Sequence, residues 1–147
     1  MTTVAFRDGV MAADSLAQID SQIIGMQKLF IVRSAVIGGC GDAADIRVFI
    51  DWFSAGADTG RLPEFRSYRA DDAPDFTVIV ADESGLTRWT EYFQPTRINE
   101  PFYAIGSGSM FALGAMCHGA SAEEAVRIAA LNDVNTGGCI VTERVGK

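Results

Sequence analysis

With 147 residues, 48% of them hydrophobic, the chain is long enough for one domain with a substantial core and too short for two ordinary ones. Its 19 acidic and 12 basic side chains leave a formal charge of −7, which repels phosphate backbones and argues against nucleic acid as a partner. No apolar stretch approaches the roughly 20 residues that cross a bilayer, and Arg7 and Asp8 interrupt the amino terminus too early for a signal peptide, so a soluble, cytoplasmic protein with no membrane partner is expected.

The first segment, Thr2 to Phe6, is β-branched and aromatic, and Asp8-Gly9 is a strong hairpin turn, so Val10 to Ser15 should pair back against it. A second pair follows, Lys28 to Val32 and Ala35 to Cys40, joined by Arg33-Ser34; four strands are thus expected before any helix. Asp42 can cap a helix whose apolar residues Ile46, Phe49, Ile50 and Phe53 fall at i, i+3, i+4 and i+7. From Ser54 to Asp75, Gly56, Gly60, Pro63 and Pro74 sit among charges, which predicts a surface connection with at most a short helical turn.

Phe76 to Ala81 and Leu86 to Tyr92 flank Asp82-Glu83-Ser84-Gly85 as a hairpin, and Phe102 to Ile105 makes a further strand. Met110, Leu113 and Cys117 are spaced as the inner face of a helix, and Ser121 with Glu124 forms a capping box that opens another. Gly138 to Val145 reads as the last strand. Hairpins segregated from helices indicate a single α+β sandwich with no internal boundary.

Cys40, Cys117 and Cys139 are odd in number, widely spaced and flanked by small or apolar residues, which suits reduced, buried thiols. His118 has no second histidine to complete a metal or Ser-His-Asp site and reads as a helix-end residue. No metal or cofactor is therefore expected. Gly106-Ser107-Gly108-Ser109 lacks the lysine that a phosphate-binding loop places after its second glycine.

A hydroxyl nucleophile still needs a base. Removal of Met1 would leave a free α-amine on Thr2, and such an amine, with an ordinary pKa of about 7.7 to 8.0, accepts a proton near neutral pH. Met-Thr-Thr alone is more plainly a strand start. Its company changes that: Thr2-Thr3-Val4, Ala12-Ala13-Asp14-Ser15, Gln27-Lys28, Gly39-Cys40-Gly41, Gly106-Ser107-Gly108-Ser109 and Asp133-Val134-Asn135-Thr136-Gly137-Gly138 occur in an order that resembles proteasome β-subunits and the bacterial HslV peptidases, which are N-terminal nucleophile (Ntn) hydrolases.

The resemblance implies a four-layer αββα sandwich of the Ntn-hydrolase type, here with a shortened or missing second central helix. It makes Thr2 the nucleophile, Asp14 the partner that orients Lys28, and Lys28 the charge that keeps the Thr2 amine unprotonated. Gly41 would offer its backbone N–H to the oxyanion. Ser107, Asp133 and Thr136 would orient the amine and relay protons, although family members often have serine at the position of Thr136. Gly39 and Ala43 would line a roomy, neutral side-chain pocket for a peptide or unfolded protein substrate.

With only Met1 before Thr2, activation would need methionine removal alone. The resemblance further implies a homo-oligomeric ring fed by an ATP-dependent unfoldase. The rival expectation is a catalytically inactive scaffold or assembly protein of the same fold; a small-molecule amidase is a third.

Overall fold

The computed structural model describes residues 2–65 and 74–146. Strands β1 (Thr3–Arg7) and β2 (Val10–Ala13) form the first hairpin, with both turn residues in the left-handed region, Asp8 at φ 53° and Gly9 at φ 76°. That turn twists in the same sense as the strands it joins. β3 (Leu16–Ile19) and β4 (Gln22–Gly25) form a separate two-stranded ribbon. Six strands, not four, therefore precede the first helix, since β5 (Leu29–Val32) and β6 (Ala35–Gly41) follow as expected.

Helix α1 (Ala43–Ser54) starts at Asp42, whose side chain accepts from the N–H groups of Ala44 and Asp45. Past α1, described residues 55–65 form turns; the expected loss of a second central helix falls partly on residues 66–73, outside the described residues. β7 (Phe76–Asp82) and β8 (Gly85–Thr90) make the next hairpin, and a short edge strand absent from the sequence reading, β9 (Thr96–Ile98), joins β8. Then come β10 (Phe102–Gly106), α2 (Ser109–Cys117), α3 (Ala122–Asn132) and β11 (Val141–Arg144), a shorter last strand than expected.

The chain is α+β, with antiparallel sheets in the orders β10-β1-β2-β11 and β5-β6-β7-β8-β9. Side chains alternate along each strand, so each sheet buries both faces. Val4, Met11, Ala13 and Ile105 of the first sheet meet Leu29, Val36, Ile79, Ala81 and Leu86 of the second. Contact is close at Gly38, where a Cβ would lie 2.6 Å from Val4 Cγ1 and 2.8 Å from Met11 Sδ.

The second sheet's other face carries α1. Phe49, fully buried, is ringed by Trp52, Phe53, Phe76, Trp89 and Phe93, with centroids 5.6 to 6.0 Å away. Of the predicted stripe, Ile46, Phe49 and Ile50 are buried, Phe53 only partly so, and Trp52 joins them. Phe49→Ala should cost about 3 to 5 kcal/mol, because the surrounding rings cannot collapse into the space; the midpoint of urea unfolding measures it.

On the first sheet's other face lie α2 and α3. The face of α2 is only partly the one expected: Leu113 packs partly buried against the core and Ala112 and Met116 are buried, whereas Met110 is 76% exposed and Cys117 is exposed. The sheet surface here is alanine, at Ala5, Ala12 and Ala104, and α3 adds Ala122, Ala125 and Ala129. Small residues on all three surfaces let the backbones approach closely and leave the bulky side of α2 outside. Ser121 and Glu124 do form the capping box, and His118 caps the end of α2. The three cysteines are free, but Cys117 and Cys139 are exposed rather than buried, and Cys40 is half-buried. No helix among the described residues is long and apolar enough to cross a membrane.

Candidate active site at the start of the first strand

Two adjacent threonines follow Met1, and the fold separates them. Thr3 is wholly buried, whereas Thr2, 7% exposed, lines a cavity with Met26, Gln27, Lys28, Phe30, Gly39, Gly41, Ala43 and Ile46. Thr3 pairs with Gly106 of β10, and Gly106 takes φ 100°; a Cβ there would run into the Thr2 carbonyl oxygen. Glycine at 106 thus fixes how closely the Thr2 backbone approaches the loop that opens α2.

Lys28 enters just ahead of β5 with its side chain 5% exposed. Its ammonium donates to both oxygens of Asp14, at 3.0 and 3.1 Å, and to the Leu16 carbonyl at 2.6 Å. Asp14 also accepts from the backbone N–H groups of Thr3 at 3.0 Å, Gly137 at 3.0 Å and Leu16 at 3.3 Å. One fully buried carboxylate therefore ties together the start of β1, the junction of β2 and β3, the approach to β5 and the turn before β11. Without these donors an ion in that position would be strongly disfavoured.

Burial pushes the Lys28 ammonium below the ordinary lysine value of 10.5, and the Asp14 charge and hydrogen bonds pull it only part of the way back. An NMR titration of Lys28 Nζ should have its midpoint below 10.5; an ordinary value would contradict this balance. Cys40, on β6, is shifted the other way: burial raises its thiol above 9.0, keeping it protonated and poorly nucleophilic.

A second polar cluster lies across β1. Asp133, at the end of α3, accepts through one oxygen from Ser107 Oγ and Thr136 Oγ1, each at 2.6 Å, and through the other from the Asn135 N–H at 3.1 Å. Partial burial alone would raise its pKa, but these hydrogen bonds to the charged form win and hold it below 3.8. Ser107 Oγ also lies 3.4 Å from the Thr2 carbonyl oxygen, and Thr136 Oγ1 lies 2.7 Å from Thr3 Oγ1.

Thr2, Lys28, Gly39, Gly41 and Ala43 thus meet at one cavity, with Asp14 held on Lys28. Ser107, Asp133 and Thr136 gather beside the Thr2–Thr3 backbone. Gly41 ends β6 at φ 112°, where a Cβ would meet Asp75 O at 2.5 Å and Phe76 Cα at 2.8 Å, so the position tolerates no side chain.

The cavity is not roomy. It measures about 50 Å³, because the apolar side chains of Met26, Phe30 and Ile46 fill what the small residues leave. Gly39 serves that packing, since a Cβ there would lie 3.0 Å from Ile46 Cγ2 and 3.1 Å from Val78 Cγ1. Met26 and Phe30 lie outside the motifs that mark the site in the sequence, and Thr3 stands there only as part of Thr2-Thr3-Val4, with no role of its own; only their spacing from Lys28 and Thr2 points to them.

The sequence matches no protein-family model and, at a significant level, no curated protein. Solved structures do match. Two chains of BPH from Thiobacillus denitrificans, one of them in complex with epoxomicin, each superpose with a TM-score of 0.69 at 20% identity, over 99% of this chain and 98% and 99% of theirs. Similarity at that level establishes a shared fold.

Proposed function

We propose that this chain is an N-terminal threonine hydrolase of the Ntn type, a peptidase acting through Thr2 once Met1 is removed, with an αββα sandwich as its scaffold. The observation that carries this reading is the position of Thr2 at a cavity, between a buried Lys28–Asp14 pair and the Ser107–Asp133–Thr136 cluster. The shared fold with a protein solved bound to epoxomicin, a proteasome inhibitor, supports it.

In this mechanism Thr2 Oγ attacks the substrate carbonyl carbon while the Thr2 α-amine takes the hydroxyl proton. The Lys28 charge disfavours a second ammonium nearby and so keeps that amine available as a base. The Gly41 N–H donates to the tetrahedral oxyanion. Collapse breaks the C–N bond, the amine returns the proton to the leaving nitrogen, and water then hydrolyses the ester on Thr2 by the same route. Asp133, held ionised by its hydrogen bonds, keeps Ser107 and Thr136 oriented beside the Thr2 backbone.

A cavity of about 50 Å³ lined by Met26, Phe30 and Ile46 favours a small apolar side chain next to the scissile bond. Exposed Ile19 and Ile23 on the β3–β4 ribbon and Met110, Leu131 and Val134 around α2 and α3 offer contact surfaces for a ring of copies, which an ATP-dependent unfoldase would feed.

Epoxomicin, a proteasome inhibitor held by the structural neighbour, is the probe that tests this reading. Intact mass spectrometry should find the chain without Met1 and with one inhibitor attached. A second reading, an inactive scaffold, turns on Met1: while Met1 is attached the Thr2 nitrogen is an amide and cannot act as the base. Persistent Met1 together with no adduct would select that reading.

A further inference from the structure

We propose that Thr3 is a positioning residue, whose buried hydroxyl donates through Thr136 to Asp133 and thereby holds the start of β1, and with it Thr2, in register with the site. This rests on the reading of Thr2 given above.

The direction of the chain follows from counting protons. Carboxylate oxygens only accept, so Asp133 takes the single hydroxyl proton of Thr136 across 2.6 Å. Thr136 then has none left for the 2.7 Å contact with Thr3, and Thr3 must be the donor there. Thr3 is fully buried, so water offers no alternative partner. The room for this pair is reserved by Gly108: a Cβ on it would fall on Thr3 Oγ1 and lie 3.0 Å from Thr136 Oγ1.

Thr3 is also held at its backbone, where its N–H donates to Asp14 at 3.0 Å. It therefore joins the Asp14–Lys28 pair to the Ser107–Asp133–Thr136 cluster from the β1 side, as the Gly137 N–H does from the turn after Thr136. These are the two charged groups that flank Thr2, one peptide unit away. An error in the placement of Thr3 moves Thr2 against both.

Thr3→Val keeps the branched shape and removes the donor, and Thr3→Ser keeps the donor. On the chain freed of Met1, Thr3→Val should lower kcat about 10- to 100-fold with KM unchanged, and Thr3→Ser should recover most of it. The threonine γ-methyl NMR spectrum gives a readout independent of activity. Thr2 should give one sharp signal in the parent chain and in Thr3→Ser, but a broadened or split one in Thr3→Val. Thr136→Val, which breaks the same chain at its next link, should reproduce the Thr3→Val pattern and serves if that variant folds poorly.

An unchanged Thr2 methyl signal and an unchanged kcat in the valine variants would overturn the proposal. If the parent chain without Met1 neither hydrolyses peptides nor takes up epoxomicin, the hydrolase reading fails, and the methyl spectra still decide whether Thr3 positions Thr2.

Discussion

Replacing Thr2 by alanine in the chain freed of Met1 should lower peptide hydrolysis by about a million-fold, to what binding and oxyanion contacts sustain alone, and should abolish the epoxomicin adduct. Stability should shift by no more than about 1 kcal/mol, because Thr2 lines a cavity and the substitution removes only two side-chain heavy atoms there. Thr2→Ser retains both hydroxyl and amine and should keep measurable turnover and the adduct. Chain still carrying Met1 should behave like Thr2→Ala, since an amide nitrogen has no basic lone pair near neutral pH. The measurements are steady-state hydrolysis of a short peptide library and intact mass after inhibitor treatment. An adduct that survives Thr2→Ala would place the nucleophile elsewhere, with Ser107 and Cys40 among the side chains to examine.

Sequence and structure agree best where a local rule has only one solution. Asp8-Gly9, the Asp42 cap and the Ser121–Glu124 box each determine a backbone turn or helix start from adjacent residues, and each forms as read. The β3–β4 ribbon escaped notice because its turn, at Asp20-Ser21, contains no glycine, although Asp20 takes φ 54°. Its exposure on both faces also removes the alternation that marks a strand. β9 is three residues at a sheet edge, too short for any period to show.

The inner face of α2 was misread for a different reason. Periodicity locates the largest apolar side chains, but this helix lies on an alanine-lined sheet, and the fit there depends on smallness. At the site, the order of the motifs was enough to gather Thr2, Asp14, Lys28, Gly41, Ser107, Asp133 and Thr136 as candidates. The network between them was not legible. That Asp14 accepts three backbone N–H groups as well as Lys28, and that Thr3 bridges two clusters, depends on segments as far apart as residues 3 and 136.

Asp14→Ala should be the most damaging single change to stability at the site. It takes the carboxylate away from the buried Lys28 ammonium, and it removes the shared acceptor of the Thr3, Leu16 and Gly137 N–H groups. Leaving a buried charge without its counter-ion costs about 3 to 5 kcal/mol, a large part of the roughly 5 to 15 kcal/mol that holds a domain of this size together.

Adding Lys28→Met to Asp14→Ala removes the buried ammonium while the three N–H groups still lack the Asp14 acceptor. The double variant should therefore regain about 1 to 3 kcal/mol over Asp14→Ala alone, a non-additivity that a double-mutant cycle of urea midpoints reads directly. The pH dependence has a definite sign. Because the folded pKa of Lys28 lies below its unfolded 10.5, the unfolded chain binds more protons between those two values, so stability rises with pH across that window and the penalty is full below it. The Asp14→Ala deficit should accordingly shrink as the solution is made alkaline, and the double variant should lose that dependence. A deficit below about 1 kcal/mol, or one that does not change between neutral and alkaline pH, would mean that Asp14 is not what stabilises the buried Lys28 charge.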